Sequence, residues 1–144
     1  MGQIFVRELM IPNPITIAHD QTVEQATALM GRYKVRRLPV TKAGKLAGIV
    51  SDRDVRQLAG RPSIKLPKSE SDEAYRNLPV EEIMTPNVLT IREFDTLQSA
   101  ITSLLENRIS GLPVVDQQGA LVGMLSETDI LKHYLRLLDR EEDH

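Results

Sequence analysis

The sequence predicts an α/β fold (α+β by some schemes) made of two like lobes in a chain of 144 residues. Two observations predict it. The chain repeats itself: residues 6–55 return as 80–130 with one inserted residue, and a repeat of this length is the first thing to settle about a fold. VRELMIPNPITI at 6–17 returns as VEEIMTPNVLTI at 80–91, RRLPVTK at 36–42 as SGLPVVD at 110–116, and GKLAGIVSDRDV at 44–55 as GALVGMLSETDI at 119–130. Within each copy, short apolar runs of strand length alternate with longer stretches whose apolar residues recur at helical spacing. Each copy therefore reads helix end, strand, helix, strand, strand, helix.

The elements follow in order. Residues 3–10 end in a helical turn broken by Pro12 and Pro14. Ile15–Ile17 is a short strand with Thr16 opposite its neighbours. Thr22 and Gln25 form a T-x-x-Q capping box ahead of the stripe Val23, Ala26, Leu29 and Met30. Leu38–Thr41 and Leu46–Val50 make a hairpin across the turn Lys42-Ala43-Gly44. Ser51 opens a second helix that carries Val55 and Leu58 and stops at Gly60. In the second copy Leu89–Ile91 is strand, and a helix from Thr96 carries Leu97, Ala100, Ile101, Leu104 and Leu105. Leu112–Val115 and Leu121–Leu125 flank the turn Gln117-Gln118-Gly119, and a last helix runs from Ser126 to Leu138. The chain thus divides into repeat 1 (1–60), a linker (61–79), repeat 2 (80–138) and a charged tail (139–144). The linker holds three prolines and reads as surface, with a short helical turn at Ala74–Leu78.

Composition narrows the function. A lobe of roughly 60 residues buries a marginal core alone, so the lobes should pack together. A net charge of −2 argues against a nucleic-acid surface, and 3 Tyr with 2 Phe give few platforms for base stacking. With no cysteine there is no disulfide, thiolate nucleophile or cysteine-held metal. No apolar run reaches transmembrane length, and the N-terminus lacks a basic-then-apolar export pattern, so a cytoplasmic protein away from membranes is expected. His19, His133 and His144 share no metal-like spacing and read as surface residues.

The strongest local signal is G-h-h-S-x-x-D, where h is apolar. It stands at Gly48–Asp54 and again at Gly123–Asp129. It places a strand end against a helix N-terminus, where the first N–H groups lack partners and the dipole favours anions. A carboxylate there, Asp54 or Asp129, can accept hydrogen bonds from adjacent hydroxyls such as those of a ribose. The same S-x-x-D is also a plain capping box. The two readings are compatible, since the serine can cap while the aspartate faces a cleft. Duplication by itself copies caps as readily as sites. Lys132 and His133, further along the last helix, could reach a phosphate, though a solvated face accounts for them equally well.

The order of motifs resembles a tandem pair of cystathionine β-synthase (CBS) domains, a Bateman module. The residues that carry the resemblance are Met10-Ile11-Pro12 and Met84-Thr85-Pro86, Thr16 and Thr90, Val35–Val40 and Ile109–Val114, and both G-h-h-S-x-x-D stretches. The chain is also similar to the paired domains of bacterial acetoin-utilisation-type proteins. The resemblance implies two β-α-β-β-α repeats related by a pseudo-twofold axis. It implies clefts for an adenosine-containing ligand such as AMP, ADP, ATP or S-adenosylmethionine, with no cofactor required. One cleft would combine Thr90, Ile109, Ser110, Gly111 and Pro113 with Ser51, Arg53 and Asp54. The other would combine Thr16, Val35, Arg36, Arg37 and Pro39 with Ser126, Thr128 and Asp129. Ser110-Gly111 leave room for a purine and Arg53 adds a cation, so the Asp54 cleft is expected to be the better nucleotide site. Arg36-Arg37 could either grip a polyphosphate or fill the other pocket.

The expected function is a non-catalytic sensor that binds an adenosine nucleotide, forms a homodimer and signals to a regulated protein of unknown identity. An exposed strip at Leu131, Leu135 and Leu138 would suit the dimer, although it could equally be core. The alternative is a ligand-free structural or dimerisation module. Catalysis has no support: there is no base–nucleophile pair, metal cluster or G-x-x-x-x-G-K-[ST] loop.

Overall fold

The computed structural model describes residues 2–58 and 71–142. Its elements in chain order are α1 (Val6–Leu9), β1 (Ile11–Pro12), β2 (Ile17–Ala18), α2 (Val23–Tyr33), β3 (Arg37–Lys42), β4 (Lys45–Ser51), α3 (Asp52–Arg56), α4 (Ser71–Arg76), a 3-10 turn (Val80–Glu82), β5 (Thr85–Pro86), β6 (Ile91–Arg92), α5 (Leu97–Asn107), β7 (Gly111–Val115), β8 (Leu121–Ser126) and α6 (Glu127–Glu142). They form two units, Ile15–Val88 and Met1–Pro14 with Leu89–His144.

The same local chemistry builds each unit. Thr22 caps α2: its Oγ1 accepts the Gln25 N–H at 3.2 Å, and the Gln25 side chain accepts the Thr22 N–H at 2.8 Å. Thr96 caps α5 through the Ser99 N–H at 3.1 Å. Each helix turns a narrow apolar face inward: Val23, Ala26 and Met30 on α2, and Leu97, Ala100 and Leu104 on α5. Both end at a residue in the left-handed conformation, Lys34 (φ 54°) and Arg108 (φ 53°). The following N–H groups close the helix ends, Val35 to the Met30 carbonyl and Ile109 to the Leu104 carbonyl, each at 3.1 Å. That closure delivers Val35–Arg36 and Ile109–Ser110 to the start of the next strand.

The sheets have matching topology. In one unit the strand order is β2-β3-β4-β5, in the other β6-β7-β8-β1. β2 lies parallel to β3 across α2, as β6 lies parallel to β7 across α5. The β3–β4 hairpin turns through Ala43 and Gly44, both at positive φ (51° and 76°), which a two-residue hairpin loop demands. The β7–β8 loop is longer, and Asp116 holds it by accepting the Gln118 and Ala120 N–H groups at 2.9 Å each. The buried faces form one core per unit, around Ile17, Leu38, Val40, Val50 and Ile83 in one and around Val6, Leu112, Val114 and Leu125 in the other.

The fourth strand of each sheet is exchanged between the sequence copies. β1, which leads the first copy, pairs antiparallel with β8 of the second through Ile11↔Met124 and Pro12↔Gly123. β5, which leads the second copy, pairs with β4 of the first through Gly48↔Pro86 and Ile49↔Thr85. The glycines of both G-h-h-S-x-x-D motifs permit this approach. A Cβ on Gly48 would stand 2.6 Å from the Thr85 carbonyl oxygen, and one on Gly123 2.6 Å from Met10 Sδ.

Several boundaries differ from the sequence reading. The strands expected at Ile15–Ile17 and Leu89–Ile91 begin at Ile17 and Ile91. Just upstream, Asn13 (φ 49°) and Asn87 (φ 53°) turn the chain and postpone the ladder. The helix expected to stop at Gly60 is short, Asp52–Arg56, and Gly60 lies outside the described residues. The helical turn expected at Ala74–Leu78 is α4 at Ser71–Arg76. Tyr75 and Leu78 pack against the core rather than lying on the surface, and the Leu78 carbonyl accepts the Val23 N–H at 2.8 Å. The charged stretch from Asp139 continues α6 as far as Glu142.

Candidate functional site

Both S-x-x-D motifs form complete capping boxes at a strand–helix junction. Ser51 Oγ accepts the Asp54 N–H at 3.1 Å, while the Ser51 N–H and hydroxyl donate to Asp54 Oδ2 at 2.9 and 3.0 Å. Ser126 and Asp129 repeat the arrangement at 3.2, 2.9 and 2.8 Å. At Asp129 both accepted bonds use Oδ2; among the described residues Oδ1 accepts none. Both aspartates are half-buried. At Asp129 capping therefore consumes one carboxylate oxygen, and a second acceptor remains on the same rigid group.

The segment before each Leu-Pro-Val lies directly against its own cap. The Asp52 N–H donates to the Arg36 carbonyl at 2.9 Å, and Arg37 pairs with Ser51 across the ladder. In the other unit the Glu127 N–H donates to the Ser110 carbonyl at 2.9 Å, and Gly111 pairs with Ser126. Thr16 and Thr90 are exposed, one residue ahead of β2 and β6. Pro39 and Pro113 are fully buried.

One unit thus collects Thr16, Val35, Arg36, Arg37, Ser51, Arg53 and Asp54, with Arg36 and Arg53 exposed. The other collects Thr90, Ile109, Ser110, Gly111, Ser126, Thr128 and Asp129. The combinations implied by the resemblance draw from different units. Within its own unit, each pre-Leu-Pro-Val segment adjoins its own serine. The Asp54 cap is the one with arginines beside it.

Two of the three histidines lie among the described residues. His19 is partly buried and its Nδ1 lies 3.0 Å from Glu81 Oε2, joining the β2–α2 turn to the 3-10 turn. His133 is partly buried on α6 with Nε2 fully covered. His144 lies outside the described residues. Among the described residues no group of three or more His, Cys, Asp or Glu could hold a metal ion, and no helix is long and apolar enough to cross a membrane.

The sequence profile of the CBS domain matches residues 6–60 and 80–136. The chain belongs to the CBS domain family. A CBS domain-containing protein of Dictyostelium discoideum is 33% identical over 140 residues, covering 95% of each chain. Among solved CBS-type structures, the acetoin utilization protein AcuB of Vibrio cholerae superposes with a TM-score of 0.78 at 28% identity, covering 99% of this chain and 98% of its own. CBSX2, solved in complex with AMP, superposes at 0.76 with 29% identity over 93% of this chain and 98% of its own. The CBS domain pair of protein MJ0100, solved with 5′-methylthioadenosine and S-adenosyl-L-methionine, superposes at 0.75 with 26% identity over 92% of this chain and 97% of its own. The α+β architecture is that of a CBS pair, and the two family matches coincide with the two sequence copies.

Proposed function

We propose that this chain is a regulatory, non-catalytic module that binds an adenosine-containing nucleotide at its S-x-x-D caps. The change in conformation is then read by a partner protein. The observation that carries the proposal is the cap carboxylate. At Asp129 one oxygen is held by Ser126 and the other is open to a second donor. A ribose diol supplies two such donors, and a carboxylate already fixed by its cap binds them without further ordering cost. The AMP complex of CBSX2 and the methylthioadenosine and S-adenosylmethionine complexes of the MJ0100 pair share adenosine, which supports this ligand class.

The Asp54 cap is proposed as the better site for a phosphorylated nucleoside, because Arg36, Arg37 and Arg53 belong to the same unit around it. Gly111 and Thr128 occupy the matching places of Arg37 and Arg53 around Asp129. A thermal-shift panel of AMP, ADP, ATP, S-adenosylmethionine and their guanosine counterparts tests the ligand class. Ligand at 100 times its Kd stabilises the folded state by about 2.7 kcal/mol, so the melting temperature should rise with adenosine compounds and not with guanosine ones.

A second reading, a ligand-free structural module, is favoured by the completeness of both capping boxes, which gives each aspartate a folding role without any ligand. A panel without response supports that reading instead. Either reading is compatible with a cytoplasmic homodimer. Leu131, Leu135 and Leu138 on α6 are 66%, 59% and 57% exposed in the single chain, an apolar stripe that a dimer would cover. Sedimentation of Leu135→Glu should then give a monomer where the parent chain sediments as a dimer; an unchanged dimer would place the interface elsewhere.

A further inference from the structure

A groove of about 370 Å³ runs between the α1–β1 segment and one face of α6, wholly inside one unit. Its volume is within the range of roughly 300–1,000 Å³ typical of small-molecule sites. Its α6 wall is built from residues at helical spacing: Asp129, His133 and Leu137 are partly buried, while Lys132, Arg136 and Arg140 are exposed. Glu8, Leu9 and Ile11 line the facing wall.

The charges on these walls are unequally engaged. Glu8 accepts the Phe5 N–H at 2.6 Å, and Asp129 Oδ2 accepts both groups of Ser126, so each carboxylate has one oxygen engaged in a helix cap. The three cations have no such commitment. Among the described residues none of Lys132, Arg136 and Arg140 is in an ion pair; Arg136 Nε donates only to the Lys132 carbonyl at 3.2 Å. They stand four residues apart along the helix, a spacing at which like charges repel. Arg140, in the last turn, suits the helix dipole, but Lys132 and Arg136 lie further back. A separate observation points the same way. His133 Nε2 is buried with no hydrogen-bond partner among the described residues, which is costly for a polar atom unless something completes it.

We infer that this groove binds a small polyanion of the phosphoryl class along its row of cations, beyond the cap carboxylate Asp129 that borders it. Phosphoryl oxygens are acceptors only, and several in a row match a line of cations at four-residue spacing. The His133 ring lies in the wall beside these cations. The first sequence copy carries no counterpart of the two leading residues: Gln57 and Leu58 stand where the second has Lys132 and His133. The Lys132-His133 pair of this groove is therefore particular to the second copy.

The test uses the full chain, sodium tripolyphosphate as probe, sodium chloride at matched ionic strength, and adenosine as competitor. Binding is followed by calorimetry and by the ¹⁵N resonance of His133 Nε2. Tripolyphosphate should bind saturably and move that resonance where sodium chloride does not. The exposed double variant Lys132→Gln/Arg136→Gln should bind at least tenfold more weakly while its response to adenosine stays as in the parent. The inference is overturned if tripolyphosphate does not saturate, if the double variant binds it as the parent does, or if adenosine displaces it. The adenosine arm reads the cap sites on their own, so failure there leaves the groove result standing.

Discussion

Gly48→Ala should cost about 1–3 kcal/mol, as overpacking of a close contact does, and lower the melting temperature by several degrees. In an ordinary strand interior the same change would be mildly stabilising, because glycine has more backbone freedom to lose. Here the added methyl would lie 2.6 Å from the Thr85 carbonyl oxygen and 2.7 Å from Met84 Sδ. The sulfur can swing aside, but the carbonyl is part of the β5 backbone, so the exchanged strand itself must move. Gly123→Ala meets Met10 Sδ at 2.6 Å and the Ile11 carbonyl only at 3.0 Å. It should therefore cost less than its counterpart. Urea denaturation of both variants measures the difference; equal and negligible effects would mean that neither exchanged strand is held as closely as the structure has it.

Asp54→Ala and Asp129→Ala should lose similar capping stabilisation and unequal affinity. Each removes a carboxylate that accepts two hydrogen bonds at a helix start, and bonds of this charged kind contribute about 1.5–3 kcal/mol. The two caps match within 0.2 Å, from 2.9 and 3.0 Å at Asp54 to 2.9 and 2.8 Å at Asp129, so the capping part of the loss should match too. Affinity for AMP should fall more in Asp54→Ala, because that unit carries the arginines proposed to meet phosphate. A factor of ten or more, about 1.4 kcal/mol, is the expected scale. Loss of AMP binding through Asp129→Ala alone would reverse the proposed ranking.

Much of the fold was legible because the duplication writes each element twice. Thr22 and Thr96 announce the long helices, and Ala43-Gly44 announces the hairpin that the structure has. The exchanged strands were not legible. Ile11–Pro12 and Thr85–Pro86 are two-residue strands holding a proline each, and nothing local says that their partner lies in the other sequence copy. The only trace was the pair of glycines at 48 and 123, whose need for space is a long-range fact. Lys34 and Arg108 were missed as helix ends because neither is the glycine or asparagine usual there. The caps were legible as folding devices, because S-x-x-D carries its own capping geometry and both boxes form. The groove along α6 was missed because it depends on α1 returning to α6, a contact between chain ends.

Titration calorimetry of AMP into the parent chain and into Asp54→Ala/Asp129→Ala tests the central claim most directly. Circular dichroism first establishes that the double variant is folded at the working temperature. The parent should bind AMP saturably and the folded double variant should give no heat beyond dilution. Saturable binding of undiminished affinity in the double variant would contradict the claim, since the nucleotide would then be held without either cap carboxylate.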